Sequence, residues 1–384
     1  MSAIPLSLYI HIPWCIRKCP YCDFNSHNAP TALPESQYIQ ALLDDLASEL
    51  PYIRGRRLES IFIGGGTPSL FSAEGIERLI NGIHALIPFR PDIEITLEAN
   101  PGTFEQARFR GFRVAGVNRL SIGIQSFNQQ HLSALGRVHS SAEALQAADI
   151  VTQAGFDNFN LDLMFGLPQQ TLTEALQDLQ QAIDLNPTHL SWYQLTLEPN
   201  TAFYKYPPTL PEDDLIADIQ ITGQQLLSSS RYNQYEVSAY ACNRQTCQHN
   251  LNYWEFGDYI GIGAGAHGKV THPDQSVTRY QKYRQPAHYL QQVAAGQGRS
   301  NEQSLSANDL KFEFMLNALR LRHGFTTTLF EQRTGLQTTS ITQELQLASQ
   351  RGLLHTRDLH ICPTERGWLY LNEVIQLFLD HNPN

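Results

Sequence analysis

The sequence has no long hydrophobic run. No stretch approaches the roughly 18 consecutive apolar residues that indicate a membrane-spanning helix. The first residues also lack the apolar segment of a secretory signal. We therefore expect no transmembrane segment and a location in the cytoplasm, with contact to a membrane only at its periphery and through a partner.

Basic residues and cysteines are both scarce. The chain has 27 lysines and arginines against 37 acidic residues, a formal net charge of −10. This balance gives no electrostatic footprint for nucleic acid, so we expect no nucleic-acid partner. Six cysteines among 384 residues do not suggest a disulfide framework.

Three of the six cysteines nevertheless lie within eight residues. Cys15, Cys19 and Cys22 form a C-x3-C-x2-C pattern directly after the apolar run Leu6–Ile12, and Pro20 favours a loop there. Thiolates bind iron and zinc, and an iron–sulfur cube takes four protein ligands when it is fully ligated. Position 24, where a fourth close cysteine would stand, is Phe24. Three thiolates leave one iron free for a small molecule, whereas a zinc site completed by His11 or His27 is the alternative.

Strand-like and helix-like segments alternate over the first half of the chain. This order indicates an α/β fold with a parallel sheet, either barrel-like or open, of roughly 200 residues. The predicted strands are Leu6–Ile12, Ser60–Ile63, Ile93–Glu98, Arg119–Ile124, Asn158–Met164 and His189–Leu195. A helix at Phe104–Ala115 is one of the predicted connections.

Polar residues and glycines stand where several of these strands end. The run Gly64-Gly65-Gly66-Thr67-Pro68 lacks the Lys-Ser/Thr of a P-loop and the spacing of a dinucleotide fingerprint. It can bring the backbone close to a ligand and offer N–H groups to a carboxylate, although a tight turn is its ordinary explanation. Glu98 and Asp162 lie in or beside apolar runs, where an unpaired carboxylate would be costly. A buried structural ion pair is the ordinary explanation for each. Together these residues favour a ligand with amino, hydroxyl and carboxylate groups.

These motifs resemble those of radical S-adenosylmethionine (SAM) proteins, in the branch of the oxygen-independent coproporphyrinogen III oxidases and their relatives. The resemblance covers nearly the whole sequence. It implies a partial (βα)6 radical SAM barrel followed by a small C-terminal α+β domain of winged-helix type. It also implies that Cys15, Cys19 and Cys22 ligate a [4Fe-4S] cluster whose open iron binds SAM. The SAM contacts that the resemblance implies are Tyr9, Tyr21, Gly65, Gly66, Thr67, Glu98, Gln125, Arg137 and Asp162.

Two departures separate this sequence from the oxidases of that branch. The oxidases resemble C-x3-C-x2-C-x-C and carry a long extension before the cluster strand, whereas this sequence has Phe24 and begins its first strand at Leu6. Both departures match the heme chaperone subgroup. The segment His249-Asn250-Leu251-Asn252-Tyr253-Trp254 matches the H-N-x-x-Y-W signature of that subgroup.

An imidazole beside aromatic rings suits a porphyrin, so His249, Tyr253 and Trp254 are the candidate heme residues. A histidine that is hydrogen-bonded in the core is the alternative for His249, and Cys242 and Cys247 are rival ligands. The expected function is a heme chaperone that passes heme to recipient hemoproteins, respiratory membrane enzymes among them, with a homodimer left open. An oxidative decarboxylase of coproporphyrinogen III is the alternative function. A third alternative, an RNA-modifying enzyme, would need an appended basic domain, and the sequence shows none.

The sequence suggests three domains. Residues 1–235 would form the radical SAM core, and residues 236–308 a segment with the heme motif and connectors. Residues 309–384 would form the winged-helix-like domain. The polar stretch 271–308 predicts connecting segments with one helix near Ala287–Ala295. The acidic balance argues against DNA binding by the C-terminal domain.

Overall fold

The structure, a computed structural model, describes residues 4–53, 55–102 and 107–379. Its strands are β1 Leu6–Ile12, β2 Trp14–Cys15, β3 His27–Asn28, β4 Leu58–Gly65, β5 Phe89–Ala99, β6 Arg119–Gln125, β7 Phe159–Phe165, β8 His189–Gln194, β9 Asn233–Glu236, β10 Ala239–Ala241, β11 Asp258–Ile262, β12 His267–Thr271, β13 Val277–Lys282, β14 Arg299–Ser304, β15 Phe325–Thr326, β16 Leu354–Arg357 and β17 His360–Pro363.

The α-helices are α1 Glu35–Ile53, α2 Ala73–Leu86, α3 Phe109–Val114, α4 Gln129–Ala134, α5 Ser141–Gln153, α6 Leu172–Asp184, α7 Ala202–Lys205, α8 Asp213–Ser229, α9 Gln248–Trp254, α10 Pro286–Ala294, α11 Ala307–Ala318, α12 Thr327–Thr334, α13 Thr342–Gln350, α14 Glu365–Leu369 and α15 Leu371–Gln376. Within the described ranges, no helix has both the length and the apolar character of a membrane span.

One twelve-stranded sheet organises the molecule. Its order is β14-β13-β12-β11-β1-β4-β5-β6-β7-β8-β10-β9. The strands β1, β4, β5, β6, β7 and β8 are parallel neighbours in chain order, as six successive βα units require. The carboxyl ends of these strands therefore meet at one edge of the sheet, where ligands of parallel α/β folds bind.

The crossover helices begin at strong local signals. Ser72 accepts a hydrogen bond from the N–H of Gly75 at the start of α2, and capping boxes start α5 at Ser140 and α6 at Thr171. Each such cap stabilises a helix by about 1 kcal/mol. The helices cover the outer face of the sheet, which is aliphatic and belongs to the main hydrophobic core. That face includes Leu8, Ile10, Ile61, Ile63, Ile95, Leu97, Leu120, Ile122, Leu161 and Leu190.

The opposite, inner face of the parallel strands is largely polar. Because side chains alternate along a strand, every second residue lies on this face. Ser7 contacts Ser60 across β1 and β4, and Ser121 contacts both Asn160 and Asp162 across β6 and β7. A closed barrel of eight parallel strands normally fills its interior with branched aliphatic side chains. A polar interior instead leaves room for groups that bind a ligand.

The α/β prediction is confirmed, and each of the six predicted strands is present with ends shifted by a few residues. The predicted helix Phe104–Ala115 overlaps α3, while residues 103–106 lie outside the described residues.

The prediction of connecting segments over residues 271–308 is wrong. Strands β12, β13 and β14 extend the central sheet through this region, and only the helix near Ala287–Ala295 is found, as α10. Lys282 is fully buried in β13, where it bonds Asp45 and Glu49 of α1. A charged residue at a buried strand position conceals the alternation that would otherwise predict the strand.

The C-terminal part has its own hydrophobic core. Helices α11 to α13 precede the hairpin of β16 and β17, which pairs with β15 in a small antiparallel sheet, and α14 and α15 follow it. The sequence predicts one last helix over Glu365–Leu379. The structure instead has two helices here, α14 and α15, with an interruption at Tyr370. Phe256 and Val277, which precede this part in the chain, also join its core. The domain boundaries after residues 235 and 308 stay predictions.

Candidate functional site

A cavity of about 420 Å³ lies at the carboxyl ends of the parallel strands. It collects most of the residues that the sequence singles out, although these are spread over more than 200 positions. Those lining it are Cys15, Cys19, Tyr21, Cys22, Gly65, Gly66, Thr67, Glu98, Gln125, Arg137, Asp162 and Trp254. Tyr9, His249 and Tyr253 do not line it.

The cysteine loop forms one wall of this cavity. The short strands β2 and β3 pair Trp14 with His27 and Cys15 with Asn28, and so close the loop at its base. All three thiols are half-buried and reach the same cavity. Burial raises the pKa of Cys15 and of Cys22. These thiols are therefore protonated without a metal, and a bound metal would displace their protons.

The two histidines of the zinc alternative are already engaged. His11 bonds the Tyr9 hydroxyl through Nδ1 at 2.9 Å and the Asn25 carbonyl through Nε2 at 2.8 Å. Nε2 of His27 lies 3.3 Å from the carbonyl oxygen of Arg284. Among the described residues, no three His, Cys, Asp or Glu side chains are grouped to hold a single metal ion. A cluster places its thiolates on separate irons, so this arrangement fits a cluster better than zinc.

Two carboxyl groups face the interior beside the loop. Glu98 accepts a hydrogen bond of 3.0 Å from the Gly65 N–H, and Asp162 accepts bonds from Asn160 and Ser121. Burial and then the charge of Asp162 raise the pKa of Glu98 to about 8, and burial raises the pKa of Asp162. A cationic group bound between them would stabilise their ionised forms.

Arg137 is a cationic residue of the cavity beside the cysteine loop. It donates to the Asn100 side chain at 2.6 Å and to the Gly123 carbonyl at 2.7 Å, and it lies 3.7 Å from the Cys19 sulfur. Its Nε is buried without a hydrogen-bond partner. A guanidinium with an unused donor suits a ligand carboxylate.

Gln125 ends β6 in a left-handed conformation, with φ 69°, that is uncommon for residues other than glycine. Its side-chain oxygen accepts a hydrogen bond of 2.8 Å from the Tyr193 hydroxyl. Tyr193 thus fixes the orientation of the Gln125 amide at the cavity.

The glycine run holds the backbone tightly against β1. A Cβ on Gly65, which has φ +117°, would lie 2.6 Å from the His11 ring, and one on Gly66 would lie 2.6 Å from the Trp14 carbonyl. The N–H groups of Gly65, Gly66 and Thr67 bond Glu98, Ile12 and Trp14. The expectation that this run offers those N–H groups to a ligand is therefore wrong, because the neighbouring chain segments use all three.

The heme motif lies on α9, with Trp254 at the cavity and His249 in the protein core. Trp254 lines the cavity, and the Arg320 guanidinium lies 4.4 Å from the centroid of its ring. His249 is only 3% exposed, and its backbone N–H bonds Glu94 at 3.2 Å. The Tyr253 ring stacks on Tyr259 with 4.0 Å between centroids. His249 is thus placed in the core, as its alternative interpretation expects.

The remaining predicted residues are bound within the protein. The Tyr9 hydroxyl donates to Nδ1 of His11, because Nε2 of His11 already donates to the Asn25 carbonyl. The Tyr9 ring lies 6.4 Å from that of His249. The Cys247 thiol donates to Glu94 at 3.6 Å, and the Cys242 thiol donates to the Thr188 carbonyl at 3.4 Å.

Asn100, Ser191 and Tyr193 also line the cavity, although they were not predicted as site residues. The polar residues at every second position of His189–Leu195 were a usable signal for Ser191 and Tyr193. Asn100, directly after Glu98-Ala99 at a strand end, was another.

A partial barrel with a three-cysteine loop over buried carboxyls defines a radical SAM protein. Residues 9–182 match the Radical SAM superfamily, and residues 305–370 match the HemN C-terminal domain. The chain is 51% identical over 375 residues to the heme chaperone HemW of Escherichia coli (strain K12), covering 98% of each chain. It is also 51% identical over 379 residues to the HemW of Haemophilus influenzae, again covering 98% of each. The chain belongs to the HemW family of heme chaperones.

The fold is also that of a solved structure. Coproporphyrinogen III oxidase (HemN) from Escherichia coli superposes with a TM-score of 0.84, covering 100% of this chain and 92% of that one. The two sequences are 24% identical, so this similarity shows the fold alone.

Proposed function

We propose that this protein binds heme and passes it to recipient hemoproteins, while its cavity holds a [4Fe-4S] cluster with SAM. One observation carries the proposal: the similarity to relatives named as heme chaperones extends over 98% of the chain at 51% identity. Phe24 supports it, because the oxidases of the same branch have a cysteine at this position, whereas a phenylalanine cannot ligate iron. The recipients would include respiratory membrane enzymes, which the protein would reach from the cytoplasm. A homodimer is compatible with this role.

The cavity residues fit the cluster and SAM. Cys15, Cys19 and Cys22 would ligate three irons, and the fourth iron would bind the amino and carboxylate groups of SAM. Glu98 and Asp162 would attract the cationic groups of SAM, and the unused Nε of Arg137 would bind its carboxylate. Gly65, Gly66 and Thr67 would approach the methionine part without clashing, since their side chains are absent or small. When bound, a reduced cluster would supply an electron for cleavage of the SAM sulfonium bond.

Heme would bind at α9 through His249, Tyr253 and Trp254. The Nε2 of His249 is buried without a hydrogen-bond partner, which suits an atom reserved for iron. Oxidative decarboxylation of coproporphyrinogen III is the competing function.

Anaerobic reconstitution followed by two assays separates these functions. We expect purified protein to bind heme with or without the cluster, because the proposed heme residues and the cysteine loop lie on different elements. We expect no conversion of coproporphyrinogen III to protoporphyrinogen IX. Such conversion with stoichiometric SAM cleavage would establish the decarboxylase in place of the chaperone.

The ligand assignment has its own test. Cys22→Ala should lose the [4Fe-4S] absorption and the bound iron, because two thiolates hold a cube poorly. Cys242→Ala serves as the matched control, since Cys242 does not line the cavity, and should keep both. A full cluster signal in Cys22→Ala contradicts the assignment.

A further inference from the structure

Unsatisfied buried polar atoms are concentrated around α9. Within the helix they are Nε2 of His249, Oδ1 of Asn252 and Nε1 of Trp254. Two arginines that face these residues, Arg119 and Arg320, each have a buried Nε without a hydrogen-bond partner. Native proteins rarely leave buried polar atoms unpaired. The presence of five such atoms in one region therefore indicates a ligand-binding site.

A chain of hydroxyl groups fixes the other nitrogen of His249. Its Nδ1 lies 3.1 Å from the Ser60 hydroxyl, and Ser60 donates its proton to Ser7 at 2.8 Å. Since Ser60 has one proton, it must accept from His249, which places the imidazole proton on Nδ1. The opposite direction would leave a buried N–H at Nε2 without an acceptor, which costs more than an unpaired lone pair.

With its proton on Nδ1, the His249 imidazole presents a lone pair at Nε2. A neutral imidazole whose second nitrogen donates to a fixed acceptor is the form in which histidine ligates metals.

We propose that Ser60 is the positioning residue for heme ligation: its hydroxyl holds the His249 ring in the tautomer that presents Nε2 to the iron. This proposal rests on the proposed heme-binding function and assigns a role to a residue outside the heme motif. Ser60 lies on β4 in the middle of the parallel sheet, so the acceptor is rigid. Ser7, on β1, holds the Ser60 hydroxyl in the accepting orientation.

Access to Nε2 requires movement of the surrounding rings. The ring centroids of Phe62, Tyr253 and Tyr9 lie 5.2, 5.8 and 6.4 Å from that of His249. A porphyrin must part these rings to reach the nitrogen. The positioning role holds only if the Ser60–His249 hydrogen bond survives this movement. If heme binding instead breaks the bond, Ser60 is a latch and its removal would tighten heme binding.

The tautomer can be read without heme. We expect the ¹⁵N chemical shifts of the His249 ring, measured in heme-free and cluster-free protein, to show a protonated Nδ1 and an unprotonated Nε2. His249→Ala identifies the signals. A protonated Nε2 overturns the proposal, and it does so whether or not the protein binds heme.

The role in ligation is measured with heme itself. Ser60→Ala should weaken heme binding by about tenfold or more and shift the Soret band, as loss of a partner of a metal-bound histidine does. Ser60→Thr keeps the hydroxyl and should restore the parent spectrum. Ser69→Ala is the matched control, because Ser69 is equally buried and its hydroxyl has no hydrogen-bond partner. Unchanged or tighter heme binding by Ser60→Ala overturns the positioning role, whereas failure of the parent protein to bind heme overturns the proposed function.

Discussion

Glu98 shows how strongly the polar interior acts on a single residue. Burial and the neighbouring Asp162 raise its pKa to about 8, so the folded protein holds this proton more tightly than the unfolded chain does. Stability from this group is full below the unfolded pKa, near 4.5, and is lost as the pH rises through about 8.

Glu98→Gln should therefore flatten the decline of stability with pH. In cluster-free protein without SAM, the melting temperature of the parent should fall between pH 5 and pH 8 more than that of the variant, because the variant has no proton to release. Scanning calorimetry across this range measures the difference. Glu74→Gln, which changes an exposed carboxylate on α2, should keep the parent slope. Equal slopes for the parent and Glu98→Gln contradict the raised pKa.

Spacing in the sequence was enough to predict which residues lie near one another, while their roles in binding stay predictions. The cysteine pattern and the polar strand ends led to residues that share one cavity. The hydrogen bond from Tyr193 to Gln125 could not be foreseen, since it depends on where β8 lies relative to β6. The N–H groups of the glycine run were misjudged for a similar reason. Whether an N–H is free depends on the strand beside it, and here carbonyls of β1 and β2 accept from two of the three.

The turn after β4 depends on glycine at position 65. Gly65→Ala would force a Cβ to within 2.6 Å of the His11 ring, and that ring is held by hydrogen bonds at both nitrogens. We expect a loss of about 2 kcal/mol or more in the free energy of unfolding, from a left-handed alanine and displacement of His11. Urea denaturation measures it, and SAM binding should weaken in parallel.

Gly55→Ala separates the two contributions. Gly55 also has a positive φ, +71°, but a Cβ there meets nothing within 4 Å. Its replacement should cost only the backbone strain of about 1 kcal/mol. If the two variants are equally destabilised, the close approach to His11 is not what requires Gly65.

At the scale of elements, periodicity was a reliable guide in the parallel core. Strands such as β1 and β6 are short apolar runs with turn residues at their ends, and their bounds differ from the prediction by one residue or none. Periodicity failed for β13, where Lys282 is buried. Its ion-pair partners lie on α1, more than 230 positions away in sequence. A partner so distant leaves no local signal.

The C-terminal part is joined to the cavity wall through Arg320. Arg320 bonds Glu236 at 3.1 Å and packs over Trp254, and both partners line the cavity. Arg320→Ala should loosen α9, because it removes a cation–π contact and an ion pair worth about 1 kcal/mol or more together. We expect amide hydrogen exchange across residues 248–254 to speed up several-fold, as mass spectrometry can detect.

Arg322→Ala is the control for this interface. Arg322 pairs with Glu365 and packs over Trp368, two residues of the C-terminal part itself. Its loss should speed exchange near α14 and leave residues 248–254 unchanged. Faster exchange at α9 in both variants would mean that the whole C-terminal part has been destabilised.

The arrangement of the whole molecule was only partly open to prediction. Chain order was enough for the six parallel strands, because neighbours in sequence are neighbours in the sheet. The position of α9 was not foreseen. Its motif suggested a ligand-binding surface, yet His249 is packed against β1 and β4, since the polar inner face of the sheet supplies Ser60 and Glu94 as partners.

The two outermost strands of the twelve-stranded sheet decide whether it can grow. An unpaired strand edge invites a strand from another chain and thereby aggregation. β14 has the sequence Arg-Ser-Asn-Glu-Gln-Ser with five of its six residues exposed, so an apolar strand would gain little by pairing there. At the other end, the C-terminal part covers β9 through a bridge from Leu321 to Glu236 and a hydrogen bond from the Arg322 N–H to the Tyr235 carbonyl. A chain that is still incomplete at Leu321 leaves β9 uncovered, and we expect nascent or truncated forms to self-associate along that edge.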